Sequence, residues 1–217
     1  MIQDDKTIVI FEIMGTFFFA LFGYLIGSIP VAYLLVQKKY DVDLRHKGSG
    51  NIGARNAFEV TDNKRLGFTV LVLDMHKGII PLVILSKIGY CDIIPIVAVT
   101  IILGHCYPVW LKFHGGRGLA TSAAIALLIS PDILVCWIIL YFISGVFKKD
   151  VHIQSLIAIT GCIVFELAAY GSPLFFNFRF LCIGSKLTLH YSMLAMLLII
   201  LSRHIQPVYK LLRTEKV

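Results

Sequence analysis

A glycine-rich segment at residues 47–56, with the sequence KGSGNIGARN, carries the first group of residues suited to chemistry. Glycines let successive backbone N–H groups converge on one anion, and short polar side chains add neutral donors. The segment formally contains GxGxxG, but a dinucleotide site also needs a preceding strand and a βαβ unit, which are missing here. It predicts a phosphate-binding loop, with a flexible loop as the alternative. The residues expected to act there are Ser49, Gly50, Asn51, Gly53 and Asn56.

A second glycine turn, KFHGGRG at residues 112–118, leads directly into an apolar segment. Free N–H groups and the positive end of the dipole favour an anion at a helix start. Arg117 adds a planar fork of donors that matches phosphate oxygens. The segment lacks the GxxxxGK[ST] spacing, so ATP binding is not indicated. We expect Gly115, Gly116 and Arg117 to bind a phosphate, and the alternative is a basic turn between two helices.

A third polar segment, RHIQPVYK at residues 203–210, follows the last apolar stretch. A single histidine at a helix end is more often an interfacial residue than a catalyst. Two phosphate-type loops on the same predicted membrane side favour a functional role for His204, whose unperturbed pKa of ~6.5 suits proton transfer. His105, about one turn before the second glycine segment, is expected to pack inside the protein, with a position facing the site as the alternative.

Two charged residues, Asp74 and Lys77, lie inside a long apolar segment. A spacing of three places them on one helix face, and each charge costs roughly 2.5 to 3.5 kcal/mol against lipid. They must therefore face the protein interior or a wet cavity. The sequence leaves open whether they line a cavity that contacts substrate or pair with each other to hold helices together.

No metal or cofactor site is predicted. The chain has no CxxC and an odd number of cysteines, most of which lie within apolar runs, so we interpret them as small hydrophobic residues. The five cysteines are Cys91, Cys106, Cys136, Cys162 and Cys182.

The elements that must position these residues are membrane helices. The chain has 217 residues, 58% of them hydrophobic and only 15% charged, with a mean hydropathy of +0.83. An ordinary soluble domain is about a quarter charged. Apolar runs of the length that crosses a ~30 Å hydrocarbon core recur along the chain. The seven candidate spans are residues 11–36, 67–89, 93–111, 119–130, 133–147, 151–170 and 187–202, of which the fourth is unusually short.

The charge distribution predicts the orientation. If seven spans alternate, 15 of the 20 Lys and Arg residues fall on the side of the C-terminus, 4 fall on the other side, and Lys77 lies within a span. The positive-inside rule then places the N-terminus outside and the C-terminus in the cytoplasm. The formal charge of +7 suits a membrane face that handles anionic groups better than a nucleic-acid reader. No linker divides the chain, so residues 1–217 are expected to form one membrane domain.

In this order and on this topology, the segments resemble the bacterial acyl-phosphate:glycerol-3-phosphate acyltransferases of the PlsY type. The resemblance covers nearly the whole chain. The matching segments are GSIP at 27–30, DLR at 43–45, GSGNIGA at 48–54, LD at 73–74 with KG at 77–78, GH at 104–105 with YP at 107–108, and FHGGRG at 113–118 with AT at 120–121.

The resemblance implies a seven-helix enzyme of the bacterial inner membrane with its active site at the cytoplasmic face. It would transfer a fatty acyl group from acyl phosphate to the sn-1 hydroxyl of glycerol 3-phosphate, giving lysophosphatidic acid. No cofactor is implied, because the mixed anhydride already contains a good leaving group. The implied partners are the two substrates, the lipid bilayer and a soluble enzyme that makes acyl phosphate.

Residue by residue, the resemblance implies catalytic roles for Ser49 and His204. The phosphates would be held by the loop around Asn51, by the second glycine turn with Arg117, and by Ser155. Either His204 or the phosphate of the acceptor could serve as the base. Glu59 and Pro207 depart from the family pattern. The alternatives are therefore a divergent paralogue with another acceptor or weak activity and, with less support, a transporter of anionic solutes.

Overall fold

The protein is all-helical in the part of the chain that its computed structural model describes, residues 5–147, 149–169 and 179–214. Three short 3₁₀ turns, at Leu44–His46, Cys91–Ile93 and Val109–Leu111, connect the longer helices. The α-helices are α1 (Asp5–Gly27), α2 (Val31–Tyr40), α3 (Ala54–Thr61), α4 (Lys64–Lys87), α5 (Ile94–Cys106), α6 (Leu119–Ile129), α7 (Pro131–Phe147), α8 (Val151–Ala169) and α9 (Lys186–Thr214).

The prediction of an all-helical, multi-pass membrane protein is confirmed. Five helical stretches are long and apolar enough to cross a membrane: residues 9–40, 64–87, 91–111, 151–168 and 186–209. Two further apolar helices, α6 and α7, are shorter. The exact count of seven spans and their orientation stay predictions. Two of the charges used for that orientation, Lys148 and Lys216, lie outside the described residues.

The first apolar stretch, predicted as one span over residues 11–36, is two helices. It breaks between the end of α1 at Gly27 and the start of α2 at Val31. Pro30 lies at this break and has no N–H to continue the helical ladder. The Lys77 ammonium, which lies on α4, donates to the carbonyl of Ile29 at 3.2 Å. The break is therefore a structured junction between two parts of the fold.

The short fourth segment is a separate helix, α6. Its 11 residues rise about 16 Å at 1.5 Å per residue, about half of a hydrocarbon core. Near its C-terminal end, the carbonyl of Leu128 accepts hydrogen bonds from the N–H groups of Phe180 at 3.1 Å and Leu181 at 3.3 Å. Residues 180 and 181, which precede α9, therefore contact the C-terminal end of α6.

Two helices differ from the prediction based on hydropathy: α3 was not predicted, and α9 is longer than predicted. No helix was predicted between the first two spans, but residues 54–61 form α3. The last span was expected to end at Ser202, but α9 continues to Thr214 through Pro207. Hydropathy reports where a helix leaves the apolar layer, whereas the backbone can stay helical beyond it. Pro207 removes only the hydrogen bond to the carbonyl of Arg203 within that helix.

The centre of the bundle is α5, which packs against both α1 and α9. Its side chains Ile101 and Ile102 are fully buried, whereas most of α1 is exposed as expected for a lipid-facing helix. A side chain at Gly27 of α1 would collide with the backbone of Ile101. A side chain at Gly104 would collide with the α1 backbone. Small residues at this crossing let the two helices approach closely.

The interpretation of the cysteines is wrong for two of the five. Cys91 and Cys182 form a disulfide, with Cα atoms 5.3 Å apart. Both lie in connections before a helix begins, α5 and α9 respectively, and 91 residues separate them. Sequence alone could not show that these two connections meet. The other three, Cys106, Cys136 and Cys162, are free and at least partly buried, as expected for small apolar residues.

Candidate functional site

The three polar segments singled out in the sequence meet around one cavity of about 950 Å³. It lies where α5 and α9 approach their C-terminal ends and α6 and α8 begin. The lining residues are Arg45, His46, Ser49, Gly50, Asn51, Tyr107, Leu111, Lys112, His114, Gly115, Arg117, His152, Ser202, Arg203, Ile205, Gln206 and Pro207. None of these carries a carboxylate, so the described lining is suited to an anion.

The first glycine loop is built around the buried side chain of Asn56. Its amide nitrogen donates to the carbonyls of Leu44 at 3.3 Å, Lys47 at 3.1 Å and Asn51 at 2.8 Å. Its amide oxygen accepts from the N–H of Ser49 at 2.9 Å. All of its polar atoms are thus bonded to the loop. We therefore expect Asn56 to support the loop rather than to contact a phosphate.

The sharp turns of this loop depend on glycine. Gly48 and Gly50 have positive φ values of +59° and +71°, a region that other residues enter at a cost. The N–H of Gly50 donates to the carbonyl of Lys47 at 3.1 Å. The exposed Ser49 and the half-buried Asn51 line the cavity. Gly53 lies outside the described lining, at the start of α3.

The second glycine turn is held by its own backbone. The N–H of Gly116 donates to the carbonyl of His105 at 3.0 Å, and that of Gly115 to the carbonyl of Cys106 at 3.2 Å. A side chain at either glycine would collide with His105. These two N–H groups are therefore occupied. We expect the turn to place Arg117 rather than to bind a phosphate through its glycine amides.

Arg117 is a half-buried cation that lines the cavity and has no partner among the described residues. Within residues 5–147, 149–169 and 179–214 its guanidinium makes no hydrogen bond or ion pair. Burial, followed by the positive charges of Arg55 and Arg203, lowers the pKa of Arg117 from its ordinary value. An anion bound next to it would relieve this electrostatic stress.

Two other arginines near the loop, Arg45 and Arg55, each pair with a carboxylate. The Arg45 Nη2 atom lies 2.6 Å from Asp43 Oδ2, and this pairing holds the pKa of the Asp43 carboxyl well below its usual range. The Arg55 Nε atom lies 2.7 Å from Glu59 Oε1 on α3. Glu59, one of the departures from the family pattern, is therefore paired and does not line the described cavity.

His204 is fully buried and absent from the described cavity lining, which its neighbours Arg203 and Ile205 reach. Its Nδ1 atom lies 2.9 Å from the carbonyl of Ile200. A carbonyl can only accept, so Nδ1 carries the proton and Nε2 keeps a free lone pair when the ring is neutral. Nε2 is buried and has no partner among the described residues. Arg117 and His152 are close enough to act on the ring electrostatically.

Ser155 is buried, and its hydroxyl donates to the carbonyl of Val151 at 2.7 Å within α8. It is absent from the described lining of the cavity, which His152 of the same helix reaches instead. His152 was not among the site residues predicted from the sequence. The only signal for it was its place about one turn before Ser155, at the start of the same apolar run.

Asp74 and Lys77 lie in a buried junction and are absent from the described cavity lining. The Lys77 Nζ atom is 3.0 Å from Asp74 Oδ1. The hydroxyl of Thr121 on α6 donates to the backbone carbonyl of Asp74 at 2.9 Å. His105 Nδ1 lies 3.8 Å from the same carboxylate. Of the two roles left open by the sequence, this geometry favours mutual pairing that joins α4, α5 and α6.

An apolar groove of about 710 Å³ runs beside the break between α1 and α2. Its lining residues are Phe22, Leu25, Ile26, Ile29, Pro30, Tyr33, Leu34, Arg45, Trp110 and Leu111. Arg45 and Leu111 also line the polar cavity. The two spaces thus share a wall, and together they fit a molecule with an anionic head and an aliphatic tail.

A sequence profile described as glycerol-3-phosphate acyltransferase matches residues 17–214 of the chain. A glycerol-3-phosphate acyltransferase of Pelagibacter ubique is 40% identical over 151 residues, which are 68% of this chain and 78% of that protein. One from an Anaeromyxobacter species is 34% identical over 201 residues, which are 89% of this chain and 91% of that protein.

Solved structures give the same result. The chain resembles a crystal structure of PlsY (YgiH), an integral membrane glycerol 3-phosphate acyltransferase, in its glycerol 3-phosphate form. The TM-score is 0.73 at 29% sequence identity, over 92% of this chain and 93% of the other. The lysophosphatidic acid form of PlsY matches with a TM-score of 0.71 at 26% identity.

Proposed function

The chain belongs to the glycerol-3-phosphate acyltransferase family, and on that premise we propose that it transfers a fatty acyl group from acyl phosphate to the sn-1 hydroxyl of glycerol 3-phosphate. The product would be lysophosphatidic acid. The observation that carries the proposal is the cationic cavity, free of carboxylates in its described lining, which shares Arg45 and Leu111 with an apolar groove. The cavity suits the two phosphates, and the groove suits the acyl chain.

In the proposed reaction, the sn-1 oxygen attacks the acyl carbon and the bond from that carbon to the phosphate oxygen breaks. Inorganic phosphate leaves, and the hydroxyl proton passes to a base. The leaving group is already good, so catalysis rests on orientation and charge neutralisation. No cofactor is needed for this chemistry.

Arg117 is our candidate for holding a phosphate, because it is half-buried and has no partner within the described chain. Ser49 and Asn51 add neutral donors from the opposite loop. His204 Nε2 is a candidate acceptor for the hydroxyl proton, since Nδ1 is already committed to Ile200. The phosphate of the acceptor is the other candidate base.

We propose that the chain forms one domain over residues 1–217 with seven spans, in the inner membrane of a bacterium. The cavity would face the cytoplasm, where a soluble enzyme would supply acyl phosphate. Two observations support this orientation: the charge asymmetry, and the Cys91–Cys182 disulfide at the end of α5 away from the cavity. Disulfides form and persist in oxidising compartments, which lie outside the bacterial cytoplasm.

Acyl transfer by the purified protein tests the function. Palmitoyl phosphate is the donor, radiolabelled glycerol 3-phosphate is the acceptor, and a panel of other polyol phosphates and free polyols is assayed in parallel. We expect labelled lysophosphatidic acid and release of an equal amount of inorganic phosphate. Preference for another acceptor would indicate the divergent paralogue, and absence of transfer to every acceptor would contradict the proposal.

Labelling in intact cells tests the orientation. Ser172 and Val217 lie outside the described residues, so the labelled positions are chosen elsewhere in the chain. After mild reduction, Cys91 and Cys182 should react with an impermeant maleimide from outside. A cysteine introduced at the exposed Lys64 position, at the cavity end of α4, should react only after permeabilisation. The opposite pattern would overturn the orientation.

A further inference from the structure

Arg203 of α9 forms hydrogen bonds with the second glycine turn. Its Nη2 atom donates to the carbonyl of Gly115 at 2.8 Å, and its Nε atom donates to the carbonyl of Gly116 at 3.2 Å. The guanidinium carbon lies 5.3 Å from the centre of the Tyr107 ring. The hydroxyl of Tyr107 is bonded to that of Ser202 at 2.5 Å. The arginine is thus fixed by two carbonyls and an aromatic face.

The backbone groups of Gly115 and Gly116 are all occupied. The N–H groups of Gly115 and Gly116 are taken by the carbonyls at the end of α5, and their carbonyls are taken by Arg203. A side chain at Gly116 would collide with the His105 ring. The turn is therefore clamped between α5 and α9. The next residue is Arg117, which has no partner of its own within the described residues.

From this arrangement we propose that Arg203 is a positioning residue that acts through the glycine turn to aim Arg117 into the cavity. The inference rests on the proposed function, in which Arg117 holds a phosphate. Arg203 is itself a cation that lines the cavity, so a direct role in binding anions is the competing explanation. The two explanations differ in whether charge or shape is required at position 203.

The contacts require a guanidinium. Its planar fork serves two adjacent carbonyls at once and stacks on an aromatic ring, whereas the ammonium of lysine is a point charge on a flexible stem. Lysine would preserve the charge in the cavity and lose the clamp. Arg203→Lys therefore separates the two explanations, and Arg203→Ala removes both the charge and the clamp.

A double-mutant cycle tests the inference. The variants are Arg203→Lys, Arg117→Ala and the combination of the two. Each is measured for kcat and KM in acyl transfer and for the Kd of inorganic phosphate, which needs no turnover. We expect Arg203→Lys to lower kcat/KM and weaken phosphate binding at least tenfold, within threefold of Arg203→Ala. In the Arg117→Ala background, the same substitution should change either quantity less than twofold.

A matched control lies on the same helix. The Arg213 guanidinium stacks on Tyr209 at 4.8 Å from the ring centre and lies outside the described cavity lining. Arg213→Lys makes the same chemical change without touching the glycine turn. It should leave kcat, KM and phosphate affinity unchanged within twofold.

Three results would overturn the inference. They are full activity of Arg203→Lys, multiplicative effects of the two substitutions, and loss of the folded state in every Arg203 variant, judged by elution profile and unfolding temperature in detergent. The last result would make Arg203 a residue of the fold in general. An inactive parent protein would contradict the proposed function alone. The double-mutant cycle measured by phosphate binding would still test the role of Arg203.

Discussion

The two glycine-rich segments look alike in the sequence, yet the structure uses them in different ways. The first loop, residues 47–53, is mostly exposed and turns through two glycines with positive φ. A single buried side chain, Asn56, holds this loop through hydrogen bonds to its backbone. At the second turn, Gly115 and Gly116 are buried without positive φ, and they are needed because the end of α5 lies against them.

A glycine-rich sequence does not by itself mean that backbone amides bind a phosphate. In both segments, key N–H groups are already bonded: those of Ser49 and Gly50 in the first, and those of Gly115 and Gly116 in the second. Each segment instead fixes a backbone that presents side chains to the cavity. In the proposed function, anion binding would therefore fall mainly to Arg117, with neutral donors supplied by Ser49 and Asn51.

Gly115→Ala should cause the greatest loss of stability among these substitutions. The added methyl group would collide with the carbonyls of His105 and Cys106, which belong to the backbone of α5 and cannot move aside. We expect a destabilisation of about 3 kcal/mol or more, at the upper end of overpacking costs. The measurement is the unfolding temperature in detergent, together with residual acyl transfer.

The matched change in the first loop is Gly53→Ala. Here the nearest atom is the side-chain nitrogen of Asn51 at 2.8 Å, which can rotate away, and the φ of −126° suits alanine. This variant should stay folded and keep activity within a few fold. If both alanine variants behaved alike, the distinction between an open loop and a packed turn would fail.

The next largest effect is expected from Asn56→Ala. This change leaves the carbonyls of Leu44, Lys47 and Asn51 without their donor and the N–H of Ser49 without its acceptor. Unpaired buried polar groups cost about 1 to 3 kcal/mol each, so we expect about 2 to 4 kcal/mol after partial hydration. Limited proteolysis should cut the loop, and kcat should fall.

A different result would support the sequence-based prediction that the side chain of Asn56 binds phosphate. If Asn56→Ala raised only the KM for glycerol 3-phosphate and left the loop resistant to protease, Asn56 would contact substrate directly. Thr61→Ala is the matched control on the same helix. Its hydroxyl bonds only to the carbonyl of Ala57 within α3, so its loss should be nearly neutral.

The smallest of the three effects is expected from Arg117→Ala, which removes a side chain and leaves both backbones intact. Loss of a hydrogen bond to a charged group costs about 1.5 to 3 kcal/mol, or about 10- to 150-fold in kcat/KM. The unfolding temperature should stay the same. Lys64→Ala, an exposed cation absent from the described cavity lining, is the control and should be silent. Equal losses in both variants would mean that only total charge matters.

Much of the fold follows from the sequence because burial in lipid is a local property. Each of the seven apolar runs contains a helix, since a chain in hydrocarbon must satisfy its own backbone groups. The family resemblance named Ser49 and Arg117, which both line the cavity. The ends of the helices were harder to predict, as α9 shows. Hydropathy marks the membrane boundary and not the residue at which helical hydrogen bonding stops.

Contacts between distant segments were decided by tertiary structure alone. Cys91 and Cys182 are separated by 91 residues, and nothing in either neighbourhood indicates the other. The clamp from Arg203 to Gly115 likewise joins residues 88 positions apart. Residue types and spacing determine which groups can bind a phosphate. Only the packing of α5, α6 and α9 determines which of their donors are already occupied, because a backbone N–H that meets a carbonyl inside the protein is no longer available to a ligand.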